Sequence, residues 1–246
     1  MSDWEKFEEE KREGIAALGR DPIAKGLTQK WFEHVSQRKY SYHFSWLGQP
    51  IIQFPQDIVA LQEIIWRTKP DLIVETGIAR GGSLIFYASM LQLLGGEGIA
   101  LGIDVDIRPH NRDAITQHPL RDRIRMIEGS STHPETLARV DEIAKDHFQI
   151  MVVLDSNHEK SHVLAELRAY QKYVSAGGYL IVLDTIVDEM PASFSNDRSW
   201  GPGRGPKAAV HEFVRESRRF EIDTSYPNKL LITTAPDGFL RCVQDP

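Results

Sequence analysis

Short, uninterrupted apolar segments alternate with helix-like segments after Pro70, and this alternation constrains the fold more than any other feature. The strand-like segments before residue 184 are 71–75, 99–104, 124–127, 150–154 and 179–183. Strands that are apolar on both faces are typical of a parallel sheet with helices on both sides. Two later segments, near 220–223 and 230–234, are close enough to form an antiparallel hairpin at the sheet edge. The pattern predicts an α/β fold with a mostly parallel, seven-stranded sheet.

The first 56 residues do not follow this pattern, and we interpret them as an N-terminal helical and loop arm. Residues 1–35 look helical and mostly exposed to solvent. Residues 40–56 are rich in aromatic residues and proline and have neither the helix nor the strand period, which indicates a loop packed on the core. A helix capped by Asp57 and ended by Pro70 then begins the main domain, predicted at 57–246.

Composition and charge exclude several classes of function. The net charge of −6 and the pI of about 5.9 argue against a protein that binds nucleic acid through phosphate contacts. The only cysteine, Cys242, excludes a disulfide framework and a cysteine-built zinc site. No apolar run of about 18 residues is present, and the N-terminal segment is charged where a signal peptide would be apolar. We therefore expect no membrane span and a cytoplasmic location.

The turn after the first strand of the predicted sheet, ETGIARGGS at 75–83, is the first candidate binding site. Ligands of open parallel sheets bind beyond the carboxyl ends of the strands, and glycines let them approach the backbone. A dinucleotide site needs G-x-G-x-x-G and an acidic residue about 20 residues later. This turn instead reads G-x-x-x-G-G, and Asp104, which ends the next strand, follows Glu75 by 29 residues. The spacing argues against a nicotinamide cofactor.

S-adenosylmethionine suits these residues better. Its ammonium group needs an acceptor near the first turn, its carboxylate can bind helix amides, and its ribose diol needs an acid after the second strand. In the segment IEGSS at 127–131, either serine could bond the adenine edge, although capping of the helix before Pro134 is the alternative. The candidate cofactor ligands are Glu75, Gly77, Gly81, Ser83, Asp104 and Ser131, together with Asp155.

Two further acids end strands on the same predicted edge. Asp155 follows the fourth strand and Asp184 follows the fifth. Magnesium prefers oxygen ligands and keeps several waters, so Asp155, Asp184 and Thr185 could hold it, unless the two acids only cap helices or orient loops. His158, three residues after Asp155, is the candidate general base, and Asp155 is assigned to the same catalytic set. A structural histidine is the alternative.

These segments resemble the cephalosporin hydroxylase / rhamnosyl O-methyltransferase family of class I, magnesium-type methyltransferases. The resemblance covers about 45–235 and depends mainly on KPDLIVETGIARGGSLIFYASML (69–91), GIDVDIRPHNR (102–112) and VLDSNHEKSHVLAELRAY (153–170). It implies a Rossmann-like fold and methyl transfer from S-adenosylmethionine to a hydroxyl of a sugar or natural product, such as a glycoside, polyketide, antibiotic or glycolipid. By motif it places Asp155 and Asp184 at the metal and His158 at the base position.

The resemblance fails at one metal position. Family members often carry Glu-Asp after the fifth strand, where this chain has Leu183-Asp184. Either Thr185 or a water replaces the missing oxygen, or metal affinity is reduced or lost. A methyltransferase-like subunit that binds the cofactor but acts as a partner is therefore the non-enzyme alternative.

The resemblance also suggests which segments bind the acceptor and whether the chain forms oligomers. The aromatic segment 43–55 and the glycine-rich segment 196–206 could line or close over a site for a small-molecule acceptor. Ordinary packing or an oligomer contact is the alternative for each. Arms of this kind often join subunits in the family, so a homo-oligomer is expected.

Overall fold

The computed structural model describes residues 1–245, and its elements are labelled α1–α9 and β1–β9 in chain order. The helices are Asp3–Leu18, Pro22–Ser36, Pro55–Thr68, Gly82–Leu94, Pro109–Gln117, Pro134–Ala144, Lys160–Tyr170, Pro206–Glu216 and Ser225–Leu230. The strands are Phe44–Trp46, Gln49–Ile51, Leu72–Thr76, Ile99–Asp104, Ile124–Glu128, Ile150–Leu154, Tyr179–Val182, Phe220–Ile222 and Phe239–Cys242. None of the helices within this range is long and apolar enough to cross a membrane.

Seven strands form one sheet in the order β5-β4-β3-β6-β7-β9-β8. Strands β3 to β7 are mutually parallel, whereas β9 runs antiparallel to both β7 and β8. Helices α3 and α4 pack on one face of the sheet, and α6, α7 and α8 cover the other. This arrangement confirms the predicted fold class. The winding reverses at β3, so the carboxyl ends of β3, β4 and β6 frame the crevice where ligands of such sheets bind.

The edge hairpin exists, but its second strand was predicted in the wrong place. The partner of β8 is Phe239–Cys242, and not 230–234. Residues 225–230 form helix α9, and Leu231 then has a φ of +57°, which ends any extended run. The apolar run is instead held by the side chain of Asp57, which accepts hydrogen bonds from the Thr233 hydroxyl and from the Thr234 amide (2.8 Å).

The N-terminal segment contains more regular structure than predicted. Residues 40–56 include the antiparallel pair β1–β2, where we predicted only a loop. Strand β2 packs so closely on the start of α4 that a Cβ atom on Gly82 would overlap the carbonyl group of Pro50. Phe32 of α2 packs with Phe54 and Met190 in a small separate cluster. The division at residue 56 and the homo-oligomer stay predictions.

Candidate active site

The glycine turn between β3 and α4 is folded against the loop that follows β6. Gly77 and Gly81 have φ values of +92° and +84°, a backbone conformation that favours glycine. A Cβ atom on Gly77 would overlap the carbonyl oxygen of Asp155. Gly77 therefore lets the loop carrying Asp155 approach the turn, and the two predicted cofactor residues are neighbours.

Glu75 and Ser83 bind each other beneath this turn. The fully buried Glu75 carboxylate accepts hydrogen bonds from the Ser83 hydroxyl (2.6 Å) and the Tyr87 hydroxyl (3.1 Å). Burial raises the pKa of Glu75 to about 8, although both hydrogen bonds oppose this shift. No cationic side chain of residues 1–245 forms an ion pair with this carboxylate. Its assignment, and that of Ser83, as cofactor ligands stays a prediction.

Asp104 ends β4 and holds the glycine turn from the other side. Its Oδ2 accepts hydrogen bonds from the amides of Ile78 (2.8 Å) and Ala79 (3.2 Å). It also lines a cavity of about 270 Å³ together with Gly77 and Ser131. The structure thus brings three predicted cofactor residues to one cavity: Asp104 for the ribose, Ser131 for the adenine, and Gly77 of the glycine turn.

Asp155, His158 and Asp184 form a second group close to this cavity. Their ligand atoms all lie within 4.8 Å of one another, and Nε2 of His158 lies 3.0 Å from Oδ2 of Asp184. Asp184 has a φ of +55°, a left-handed conformation that is rare for residues other than glycine. Strain of this kind is concentrated at functional sites.

Thr185 does not join this group in the structure. Its side chain is completely buried, and its hydroxyl donates a hydrogen bond to the Pro236 carbonyl at 2.5 Å. Leu183 is also buried, in the core on the α3–α4 face of the sheet. These contacts do not favour the predicted metal role of Thr185, and the position where family members carry glutamate faces the core.

Acidic side chains outnumber basic ones around this group. Burial raises the pKa of Asp155 well above its usual range, and Asp184, Glu75, Glu166 and Asp57 raise it further. Burial alone would lower the pKa of His158, but the charge and hydrogen bond of Asp184 raise it overall. Two carboxylates in such surroundings, with waters to complete the shell, are a donor set that a divalent cation fits.

A second cavity, of about 400 Å³, opens on the other side of the same loop. His158 and Asp184 line this aromatic cavity, whose walls include the rings of Phe32, Tyr40, Tyr42, Phe54, Phe194 and Trp200. The Trp200 ring packs edge-on to the His158 ring, with 5.4 Å between centroids. Residues from both predicted acceptor segments, 43–55 and 196–206, therefore contribute to this cavity. Trp46 does not, because it packs on Phe86 and bonds Ser89.

Sequence reasoning missed two buried polar residues of the site, Tyr87 and Glu166. Tyr87 lies one turn after Ser83 on α4, and both contact Glu75. Glu166 lies one turn after His162 on α7 and is completely buried. Each residue lies four positions after another polar residue on a helix that follows a strand of the site. This spacing was the available signal, but it does not show that the side chains face inward.

Comparison with known proteins agrees with the geometry. The family model described as Rhamnosyl O-methyltransferase/CmcI matches residues 38–243. The chain is 29% identical over 187 residues to the rhamnosyl O-methyltransferase of Mycobacterium bovis (strain BCG / Pasteur 1173P2), covering 75% of this chain and 72% of the relative. It is 29% identical over 198 residues to that of Mycobacterium leprae (strain TN), covering 80% and 82%.

Solved structures share the fold at low sequence identity. The structure described as cmcI-D160 Mg-SAM has a TM-score of 0.57 at 19% identity, covering 82% of this chain and 77% of that chain. The CmcI-N160 apo-structure has a TM-score of 0.56 at 20% identity with the same coverage. These matches confirm the Rossmann-like class I methyltransferase fold. With the family match, the predicted enzyme class, an S-adenosylmethionine-dependent O-methyltransferase, is also confirmed. The chain belongs to the rhamnosyl O-methyltransferase/CmcI family.

Proposed function

We propose that this enzyme methylates a hydroxyl group of a sugar or natural product, with His158 as the base and a divalent cation at Asp155 and Asp184. The observation that carries this proposal is the position of the loop 155–158. Ser156 and Asn157 line the cavity with Asp104 and Ser131, whereas His158 lines the aromatic cavity. A donor in the first cavity and an acceptor in the second would therefore meet at one short segment.

The first cavity suits the donor. Asp104 offers a carboxylate to the ribose diol of the cofactor, and Ser131 offers a hydroxyl to its adenine. S-adenosylmethionine carries an ammonium and a sulfonium group, and Glu75 and Asp155, whose pKa values are raised without a ligand, can ionise to balance that charge. The backbone amides at the start of α4 can bind the carboxylate of the methionyl part.

His158 is placed to take the proton that the acceptor loses. The hydroxyl oxygen displaces the sulfonium, the methyl group moves to oxygen, S-adenosylhomocysteine leaves, and the hydroxyl proton passes to the imidazole. The neighbouring carboxylate of Asp184 stabilises the imidazolium that results. An alcohol is a far weaker acid than an imidazolium, so complete proton transfer without help costs on the order of 10 kcal/mol. A divalent cation held by Asp155 and Asp184 would reduce this cost by lowering the pKa of the hydroxyl.

The second cavity suits an acceptor with extended apolar faces. Aromatic rings stack on the faces of both sugars and polyketides. Phe54 and Trp200, from two different segments of the chain, line this cavity. The relatives named rhamnosyl O-methyltransferase support a sugar hydroxyl among these classes.

Leu183 favours a second candidate function, that of a cofactor-binding partner subunit with weakened catalysis. The residue offers no oxygen and is buried in the core. An acceptor panel assayed with S-adenosylmethionine, with and without magnesium, separates the two functions. Methyl transfer that requires magnesium supports the enzyme with an intact metal site. Cofactor binding without turnover on any acceptor supports the partner subunit.

A further inference from the structure

His162 lies at the wall of the nucleoside cavity, and the mechanism above does not use it. It comes from the first turns of α7 and lines the cavity together with Asp104 and Ser131. Behind it lies Glu166, one helical turn later, which is completely buried. One oxygen of Glu166, Oε2, has no hydrogen-bond partner among the described residues. A buried carboxylate at a ligand cavity calls for a specific role.

Three oxygen atoms surround a single ring nitrogen of His162. Its Nε2 lies 3.2 Å from the Ser131 hydroxyl, 3.3 Å from the Ser156 hydroxyl and 3.4 Å from Oε1 of Glu166. Ser156 donates its own hydrogen to the same Glu166 oxygen at 2.7 Å. Among these atoms, a bare nitrogen lone pair would face a carboxylate, which is unfavourable. Nε2 therefore carries a hydrogen, in keeping with the hydrogen bond by which Glu166 raises the pKa of His162.

The protonated nitrogen determines how the Ser131 hydroxyl is used. A protonated Nε2 has no lone pair left to accept a hydrogen bond, so the Ser131 hydroxyl keeps its own hydrogen for another acceptor. The Ser131 side chain is only 5% exposed, and its backbone carbonyl is held by the Tyr170 hydroxyl at 2.8 Å. With the backbone held in this way, Ser131 presents a hydrogen-bond donor to the nucleoside cavity.

We propose that His162 and Glu166 are positioning residues that fix the Ser131 hydroxyl as a donor to the cofactor base, so that the cavity selects adenine over hypoxanthine. Adenine has an unprotonated acceptor nitrogen on its pairing edge, whereas the corresponding nitrogen of hypoxanthine carries a hydrogen. Two donors facing each other repel, and the wrong base leaves a buried group unpaired. The inference rests on the proposed function, because it takes this cavity as the site of the nucleoside.

Calorimetric binding of two product analogues tests this directly and needs no acceptor. S-adenosylhomocysteine and S-inosylhomocysteine are titrated into the same preparations of wild type, His162→Ala, His162→Gln and Glu166→Gln. The ratio of the two affinities is the readout, since partial misfolding changes both stoichiometries and leaves the ratio unaffected. His147→Ala is the matched control, because His147 also lies near a carboxylate, Asp71, but at the opposite edge of the sheet.

The wild type and His147→Ala should prefer the adenosyl compound. His162→Ala and Glu166→Gln should reduce that preference about tenfold, the size of one well-formed hydrogen bond. His162→Gln should retain most of the preference, because its amide can still donate to Ser131; a merely structural histidine would not distinguish alanine from glutamine. An unchanged ratio in His162→Ala overturns this inference alone. Failure of the wild type to bind either compound overturns the proposed function as well.

Discussion

Nε2 of His158 and Oδ2 of Asp184 lie 3.0 Å apart, although they follow different strands of the sheet. The contact depends on two adjacent parallel strands, β6 and β7, whose carboxyl ends bring both loops to one edge. It also depends on the left-handed backbone of Asp184, a conformation that aspartate adopts more readily than most residues other than glycine. The pair links the candidate base to the candidate metal site and is the basis of the first prediction.

Replacing His158 with alanine should lower kcat by about 10²–10⁴ and leave the affinity for S-adenosylhomocysteine nearly unchanged. The imidazole faces the aromatic cavity and not the nucleoside cavity, so its loss removes the proton acceptor but no donor contact. Turnover is measured on an acceptor from the panel, and affinity by calorimetry. His147→Ala serves as the control, and undiminished turnover in His158→Ala would show that the base is another group.

Asp104→Ala should weaken binding of S-adenosylhomocysteine by about 10- to 100-fold, the effect of losing hydrogen bonds to a charged group. The same carboxylate also accepts from the amides of Ile78 and Ala79, so the turn loosens as well. Asp106→Ala is the control, because its side chain is mostly exposed and forms only a 3.8 Å pair with Arg108. Equal affinity in Asp104→Ala and wild type would remove the ribose contact.

Cofactor binding should release a proton from Glu75. In the ligand-free protein the pKa of Glu75 is about 8, so the carboxyl is largely protonated at pH 7. An ammonium group nearby favours the ionised form and lowers this pKa, so affinity should rise with pH up to about 8, at most tenfold per pH unit.

Calorimetry at pH 7 in phosphate and in Tris measures this release, because the two buffers differ in ionisation enthalpy. The apparent binding enthalpy should differ between the buffers for wild type, and less so for Glu75→Gln. Identical buffer dependence in the two proteins would mean that Glu75 does not titrate on binding.

The stability of the ligand-free protein should fall as pH rises from 5 to 9. The pKa of Asp57 is raised to about 6 and that of Glu75 to about 8, chiefly by burial. For both, the stabilisation is complete below the unfolded pKa and is lost as pH rises through the folded one. Ionising buried Glu75 costs on the order of 5 kcal/mol by this shift.

Thermal unfolding across this pH range checks the prediction. Glu75→Gln should flatten the fall between pH 5 and 8, whereas the exposed Glu128→Gln should follow the wild type. A melting temperature that rises steadily from pH 5 to 9 would be the opposite of what two neutral, buried carboxyls require.

Asp155→Asn and Asp184→Asn should each abolish most of the stimulation of methyl transfer by magnesium. Removal of either carboxylate leaves a single acidic ligand, too few for a cation that competes with its own hydration. Initial rates against magnesium concentration provide the measurement, and Glu128→Gln, an acid at the end of β5, is the control. If wild type turns over equally in EDTA, the cation has no part in the reaction and Leu183 has replaced a lost ligand.

The sequence predicted the parallel part of the sheet and the position of acids at its strand ends, because continuous apolar strands and the residues that follow them are local signals. It did not predict what buried side chains do with each other. Asp57 looked like a helix cap, yet its carboxylate holds Thr233 and Thr234, which lie 176 and 177 residues further along the chain. This contact also explains why 230–234 is not a strand. Tertiary packing likewise determines that the side chains of Thr185 and Glu166 are buried, and the spacing of residues in the sequence does not show this.

Calorimetric titration of the wild type with S-adenosylhomocysteine, with and without magnesium and beside a titration with NAD⁺, tests the central claim most directly. S-adenosylhomocysteine should bind at one site per chain, with binding lost or weakened in Asp104→Ala, and NAD⁺ should not bind. Binding of NAD⁺, or no heat from S-adenosylhomocysteine at millimolar concentration, would contradict it.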